Sequence, residues 1–264
     1  MGFEELKAKQ SMMWGSGPYE RITDTIRDMH ALVVERLGPK PGERWLDLAT
    51  GTGAVARLAA RAGADVTGQD LAPALIETAK EITAEEGLPI RFDVGDAENL
   101  SYEDASFDVL SSTCGVMFAP NHAAVARELA RVCRLEGRLA LACWRPEGTV
   151  GDMFRAMAPF QPPPPAGVGS PFDWGREEHV TELLGDAFEL EFEEHASVLV
   201  AESGEAVWEL FVTSYGPTKT LADSLDPERR EGLRRAFVDL HDSHRASGGI
   251  RMPRTYLLTI GRRR

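Results

Sequence analysis

The stretch Arg44-Trp45-Leu46-Asp47-Leu48-Ala49-Thr50-Gly51-Thr52-Gly53 decides the fold. Its first five residues read as a short buried strand, and Gly51 and Gly53 allow the sharp turn that follows. The next helix carries Val55 and Leu58 on one face and reaches a C-cap at Gly63. Upstream, Ile22, Ile26, Met29, Val33 and Leu37 recur at helical spacing until Gly38-Pro39 stops them. Downstream the unit repeats. Asp65-Val66-Thr67-Gly68-Gln69-Asp70 is a second strand, and Leu75, Ile76, Ala79 and Ile82 mark a second helix. Ile90-Arg91-Phe92-Asp93-Val94 and Phe107-Asp108-Val109-Leu110-Ser111-Ser112 are the third and fourth strands. Asn121 caps a helix bearing Val125, Leu129 and Val132, and Arg138-Leu139-Ala140-Leu141-Ala142-Cys143-Trp144 makes a fifth strand. Strands alternating with helices of this length imply βαβ units. Right-handed crossovers then give a doubly wound α/β fold with a parallel sheet.

Beyond Trp144 the pattern changes. Residues 146–175 are rich in Pro and Gly, including Pro162 to Pro165, and are expected to form a partly extended surface loop. Helical spacing returns over 178–184, a sixth strand is expected within 188–200, and a helix follows near 206–214. Asp226-Pro227 opens another helix, with Leu233, Ala236, Phe237 and Leu240 on a single face. A last strand closes the chain at 255–260. No internal repeat is visible. Residues 1–145 are expected to hold the N-terminal helices and the ligand-binding core. Residues 146–264 complete the sheet with strands six and seven and add substrate-cap helices, in one compact domain.

Composition narrows the function classes. The 264 residues are 43% hydrophobic and 27% charged, ordinary for a globular chain with a sizeable core. Against 29 basic side chains stand 42 acidic ones, so the formal charge is 29 − 42 = −13. With a pI near 5.0, the chain offers no broad basic face for a nucleic-acid backbone or anionic lipid, and neither partner is expected. Cys114, Cys133 and Cys143 cannot all pair and lack metal or redox spacing, which suits a reducing compartment. No apolar run approaches a membrane span, and the first residues lack a secretory signal. Met1-Gly2 opens like a myristoylation site, but Leu6 stands where Ser or Thr is needed. A cytoplasmic protein is expected.

Three acids give the glycine turn its meaning. Alone, Gly51-Thr52-Gly53-Ala54-Val55-Ala56 also satisfies the dinucleotide fingerprint, with Ala in the last place. Asp47, four residues before Gly51, would repel a pyrophosphate but is compatible with a cationic sulfonium cofactor bearing an amino group. Asp70 ends the second strand, 17 residues beyond Gly53, where a carboxylate can accept both ribose hydroxyls of either cofactor. Asp96, in Gly95-Asp96-Ala97, follows the third strand and can accept an adenine amine. Each acid alone reads equally as a solvated strand end or a cap. All three fall at successive strand ends on the carboxyl edge, where such sheets bind ligands.

With Leu46-Asp47-Leu48-Ala49-Thr50-Gly51-Thr52-Gly53, Gly68-Gln69-Asp70, Gly95-Asp96-Ala97-Glu98 and Ser106-Phe107-Asp108-Val109, the chain resembles the class I S-adenosylmethionine-dependent methyltransferases. It is similar to their ubiquinone/menaquinone C-methyltransferase-like branch of small-molecule enzymes, over roughly residues 10–145. Ala49 stands where the family usually has its first glycine, a departure that this branch tolerates. The resemblance implies a Rossmann-like doubly wound seven-stranded sheet with the last strand antiparallel and helical caps inserted after strands five and six. It implies S-adenosyl-L-methionine as cofactor and S-adenosyl-L-homocysteine as product. Asp47, Ala49, Gly51, Thr52 and Gly53 would surround the methionine moiety, and Thr113 would approach its end. Asp70 would hold the ribose, Leu71 would pack on the adenine, and Asp96 and Ala97 would read its edge. Tyr19 falls where the family often closes over the cofactor, and an ordinary half-buried tyrosine is an equal reading.

Methyl transfer from a sulfonium is an in-line displacement in which alignment and desolvation do much of the work, so no conspicuous catalytic cluster is required. No Gly-x-Ser-x-Gly elbow, metal-spaced His pair or Gly-Lys-Ser/Thr loop appears. The weak base candidates are His122, beside its cap Asn121; Tyr215, which terminates a helix; and His241, beside His244 on the last helix. Cys114, Met117 and Phe118 are expected to line the pocket by packing, and neither His30 nor His195 stands out. Trp174, Trp208, Phe211 and Tyr215 hint at an apolar or aromatic acceptor, although aromatics at helical spacing more often build a core. A small organic acceptor is expected, methylated on O, C or N. The alternatives are an NAD(P)-dependent oxidoreductase, which Asp47 disfavours, and a cofactor-binding protein without catalysis. Monomer and homodimer both remain open.

Overall fold

A computed structural model describes residues 3–264; Met1 and Gly2, and with them the myristoylation motif, lie outside the described residues. The chain opens with α1 (Glu4–Trp14), α2 (Glu20–Thr23), a 3₁₀ turn and α3 (Arg27–Leu37). The core follows as β1 (Arg44–Leu48), α4 (Ala54–Arg61), β2 (Asp65–Asp70), α5 (Pro73–Glu85), β3 (Arg91–Val94), β4 (Phe107–Thr113), α6 (His122–Val132) and β5 (Cys133–Trp144). After β5 come α7 (Thr149–Met157), α8 (Glu177–Leu184), β6 (Phe188–Ala201), α9 (Gly204–Ser214), α10 (Gly216–Ser224), α11 (Pro227–Asp242), β7 (Arg245–Ala246) and β8 (Gly249–Arg263).

The strands lie in the order β3-β2-β1-β4-β5-β8-β6. The five on the β3 side are parallel, whereas β8 runs antiparallel to both β5 and β6. The expected doubly wound sheet with an antiparallel last strand is therefore present, and β7 adds a two-residue eighth strand folded back on β8. The strand order reverses between β1 and β4, which opens a crevice at their carboxyl ends.

Burial explains why β1 sits at the centre. Trp45, Leu46 and Leu48 are all at most 1% exposed, and each such side chain contributes roughly 1.5–3 kcal/mol of transfer free energy. The one polar atom this costs is satisfied, because Trp45 Nε1 donates to Ser111 Oγ at 2.8 Å. Beside β1, α4 presents Val55, Ala56 and Ala59 to the core. At the start of α6, Asn121 Oδ1 accepts from the Ala124 amide at 3.0 Å, the cap expected for that residue.

Several segments differ from the sequence reading, and α10 was not expected at all. Residues 146–175 are not mainly loop: α7 buries Val150, Met153 and Met157, and two 3₁₀ turns follow. Gly148 and Gly151 depress helical propensity there, yet both sit where a Cβ would meet an atom within 2.3 Å, so close packing demands glycine. The helix expected across residues 22–37 is broken by the 3₁₀ turn at Asp24–Ile26. Helix α1 buries none of its side chains fully and so lacks the apolar period that would reveal it. Finally, β5, β6 and β8 run 12, 14 and 15 residues, longer than their apolar stretches suggest. Paired backbone hydrogen bonds extend them through charged positions such as Glu191 and Arg251.

Candidate functional site

Asp47 occupies β1 at the crevice and is 1% exposed. Its Oδ1 accepts from Ser111 Oγ at 2.6 Å and its Oδ2 from Thr50 Oγ1 at 2.5 Å. Burial outweighs these hydrogen bonds and pushes the carboxyl up to about 6. Asp70, at the end of β2, accepts the Gly51 amide on Oδ2 and the Ala72 amide on Oδ1, both at 2.9 Å. It too is buried, and burial raises it against those amides. Among the described residues neither acid has a cationic partner within salt-bridge distance.

Both acids line one cavity of about 110 Å³. Ala49, Gly51, Leu71, Asp96, Ala97, Thr113 and Tyr19 line it with them. Thr52 and Gly53 do not. Thr52 is 1% exposed behind the turn, and Gly53 holds φ +81° as the N-cap of α4. Gly51, at φ +57°, leaves room for the Tyr19 ring, which lies 3.6 Å from where its Cβ would be. Ala49 takes the same left-handed conformation at φ +50°, the cost of having a side chain where glycine would be free. Thr113 Oγ1 is buried without a partner.

Asp96 is partly exposed and already paired. Its Oδ2 accepts from Lys7 Nζ at 2.7 Å, and Lys7 also reaches Glu98 at 2.5 Å. Burial lowers the Lys7 ammonium, but hydrogen bonds and charge from these two acids prevail and raise it. Lys7, Gln10 and Trp14 thus bring α1 over the cavity. The sequence reading missed them, as it missed His30, which lines the same cavity and which burial pushes down to about 4.

A second cavity of about 40 Å³ shares Tyr19, Ile26, Cys114 and Phe118 with the first. Tyr215 and His241 line it, together with Phe211, Met153, Trp144 and Arg254. The Tyr215 ring stacks on Tyr19 at 6.4 Å between centroids and meets Trp14 edge-on at 5.6 Å. Burial raises both phenols well above their ordinary value. His241 is fully buried, with Nδ1 2.7 Å from the Phe237 carbonyl and Nε2 unpartnered. A carbonyl only accepts, so Nδ1 carries the hydrogen and Nε2 the lone pair. Burial lowers this imidazole below its ordinary value.

His122 lines neither cavity. Its Nδ1 lies 3.0 Å from His179 Nε2, its ring packs on Trp174, and both histidines cluster with Asp173. Met117 is buried core rather than lining. Trp208 packs on Phe237 outside the second cavity.

A cavity at the switch point of a doubly wound sheet, walled by acids at three successive strand ends, defines a ligand-binding α/β fold. A methyltransferase domain family matches residues 46–141. An uncharacterised protein of Mycobacterium tuberculosis is 35% identical over 218 residues, 81% of this chain and 80% of its own. The methyltransferase GfsG of Streptomyces halstedii is 38% identical over 141 residues, 52% of this chain and 48% of its own. The solved YcgJ protein of Bacillus subtilis superposes with a TM-score of 0.61 at 19% identity, covering 89% of this chain and 97% of that one. Residues 46–141 thus belong to that methyltransferase domain family.

Proposed function

We propose that the protein transfers a methyl group from S-adenosylmethionine to a small organic acceptor. One observation carries this reading: two buried carboxylates, Asp47 and Asp70, face a single cavity without a cationic partner among the described residues. Buried charge of one sign is costly unless a ligand compensates it, and the ligand called for is a cation.

The residues fit the donor. Each Asp70 oxygen has one amide partner, so each keeps a lone pair for a ribose hydroxyl. Leu71, Leu75 and Ala97 offer apolar surface for a base, and the unpartnered Thr113 Oγ1 is available to the methionine end. Gly51 admits close backbone approach under Tyr19. When bound, S-adenosylmethionine supplies a methyl group on a cationic sulfur that leaves as a neutral thioether. The chain's own part is to orient and to exclude water. Asp47, held by Ser111 and Thr50, fixes charge near the amino-acid end. Trp14, Tyr19 and Tyr215 wall the junction of the two cavities with aromatic rings. The second cavity is the acceptor site in this reading. His241 Nε2, neutral and unpartnered there, accepts a hydrogen bond or a proton from the acceptor; Tyr215 positions it by contact.

The test combines binding with turnover. Calorimetry is expected to detect S-adenosylhomocysteine and to show no comparable NAD or NADP binding. Labelled methyl should pass from S-adenosylmethionine to a member of a panel of phenols, quinols, amines and carboxylates. Tight dinucleotide binding without thioether binding would overturn the reading.

A further inference from the structure

Resting on that reading, we infer that the acceptor is an apolar molecule bearing a carboxylate, which Arg254 holds at the wall of the second cavity. Arg254 lies on β8 opposite Ser197 of β6 and is 4% exposed. Its guanidinium meets only neutral groups. Nη1 donates to Thr25 Oγ1 at 3.1 Å, Nη2 to Ser197 Oγ at 3.3 Å and to the Thr25 carbonyl, and Nε to the Ser197 carbonyl at a long 3.4 Å. Trp144 lies 5.6 Å from the guanidinium carbon. No carboxylate of the described residues stands within salt-bridge distance of Arg254. Asp28 is reached only through Ser197, whose Oγ donates to Asp28 Oδ1 at 2.7 Å.

A guanidinium has five N–H donors, so one hydrogen on Nη1 is left without a protein acceptor and the Nε bond is weak. Most of the partly buried arginines pair with acids, as Arg138 with Glu43 and Arg131 with Glu128, whereas Arg263 near the chain end donates to the Ala130 and Ala187 carbonyls instead. Arg254 is more deeply buried than Arg138 or Arg131 and has no acidic partner. A buried cation without a counter-ion is retained at a cost, and a carboxylate ligand removes that cost with charge-assisted hydrogen bonds. Burial also pushes this guanidinium down to about 10, against the smaller raising influence of Cys114 and Asp28.

The rest of the cavity sets the other features of the acceptor. Met153, Phe211, Tyr215 and Met252 give it an apolar body. His241 Nε2 gives it a single buried hydrogen-bond acceptor, so an O–H or N–H on the ligand is favoured there. The first cavity, acid-lined, takes the cationic end. A carboxylated acceptor would thus lie between a cationic donor and a buried cation, and both attractions draw it in.

The experiment measures binding to protein saturated with S-adenosylhomocysteine. Matched probes differ only in charge: benzoate and benzamide, 4-hydroxybenzoate and its amide, cinnamate and its amide, octanoate and its amide, with phenyl phosphate alongside. At least one carboxylate is expected to bind about ten-fold tighter than its amide. Arg254→Gln should reduce that preference below about two-fold while S-adenosylhomocysteine affinity stays unchanged, and Arg254→Lys should retain part of it. Absence of preference in every pair overturns the inference, as does a preference that survives Arg254→Gln, or tighter binding of phenyl phosphate than of any carboxylate. The wild-type comparison decides the matter even if Arg254→Gln fails to fold. Failure of S-adenosylhomocysteine itself to bind is a different result, and it removes the methyltransferase reading instead.

Discussion

Replacing Asp47 with Asn should stabilise the ligand-free protein while weakening it as a receptor for the donor. Burial moves the Asp47 carboxyl from 3.8 to about 6, so the folded state binds a proton that the unfolded chain has already released. Stability from this group is therefore lost as pH rises from about 4 to about 6 and stays lost above. At about 1.4 kcal/mol per tenfold change in proton affinity, the full penalty near pH 8 is about 3 kcal/mol, and near pH 5 it is about 1.6 kcal/mol. Asn keeps the shape but weakens the bonds from Ser111 and Thr50, at a cost of roughly 1 kcal/mol that does not vary with pH. Asp47→Asn should then be more stable than wild type by roughly 2 kcal/mol near pH 8, about 5 °C in Tm for a chain of this size. Near pH 5 the gain should shrink by about 1.4 kcal/mol. Loss of a charged partner for the cationic amino-acid end should weaken S-adenosylhomocysteine by about 2 kcal/mol, near thirty-fold. Thermal melts of both proteins at the two pH values, with and without ligand, read all of this. A variant less stable than wild type near pH 8, or a gain equal at both pH values, would refute the electrostatic reasoning. So would unchanged ligand affinity.

The turn makes a paired prediction. Gly51→Ala should cost about 1–2 kcal/mol by denaturant unfolding, because φ is +57°, whereas Ala49→Gly should stay within about 1 kcal/mol as relief of left-handed strain offsets glycine entropy. Lys7→Ala removes the ion pairs that tie α1 to Asp96 and Glu98. Hydrogen exchange across Glu4–Trp14 should then accelerate about ten-fold while β1 and β4 stay protected. Burial pushes the Cys133 and Cys143 thiols up to about 12 and raises Cys114 well above its ordinary value. No thiol should therefore react rapidly with a disulfide reagent until the protein unfolds, and one fast-reacting thiol in the native state would contradict that burial.

The donor half was legible because its determinants are local. A strand, a glycine turn and a helix start are each specified within a few residues, and Asp47, Asp70 and Asp96 take their places from the ends of β1, β2 and β3. Lys7 gave no comparable signal, since a lysine in Glu-Glu-Leu-Lys-Ala-Lys-Gln is ordinary helix surface until α1 folds across the crevice. Residues 149–157 were read as loop because glycine and proline weigh on propensity. What makes them helical is Val150, Met153 and Met157 packing against distant parts of the chain, a tertiary term that local spacing does not carry.

The acceptor half fails to announce itself for a related reason, and Arg254 shows it most clearly. In the sequence it sits in Met252-Pro253-Arg254-Thr255, one basic residue among 29 in an acidic chain. Nothing there distinguishes a buried cation from a solvated one. The distinction comes from the register that sets Arg254 opposite Ser197, and from the break between α2 and α3 that brings Thr25 to the same guanidinium. His241 is similar: two of its turn-mates are charged, yet the ring is fully buried against Phe237 and Phe211. Both cavities then obey one rule. Each buries charge or a polar atom that the chain leaves uncompensated, acids on the donor side and a guanidinium with an imidazole nitrogen on the other. In the proposed reading, the free energy withheld in folding is what a cationic donor and an anionic acceptor recover on binding.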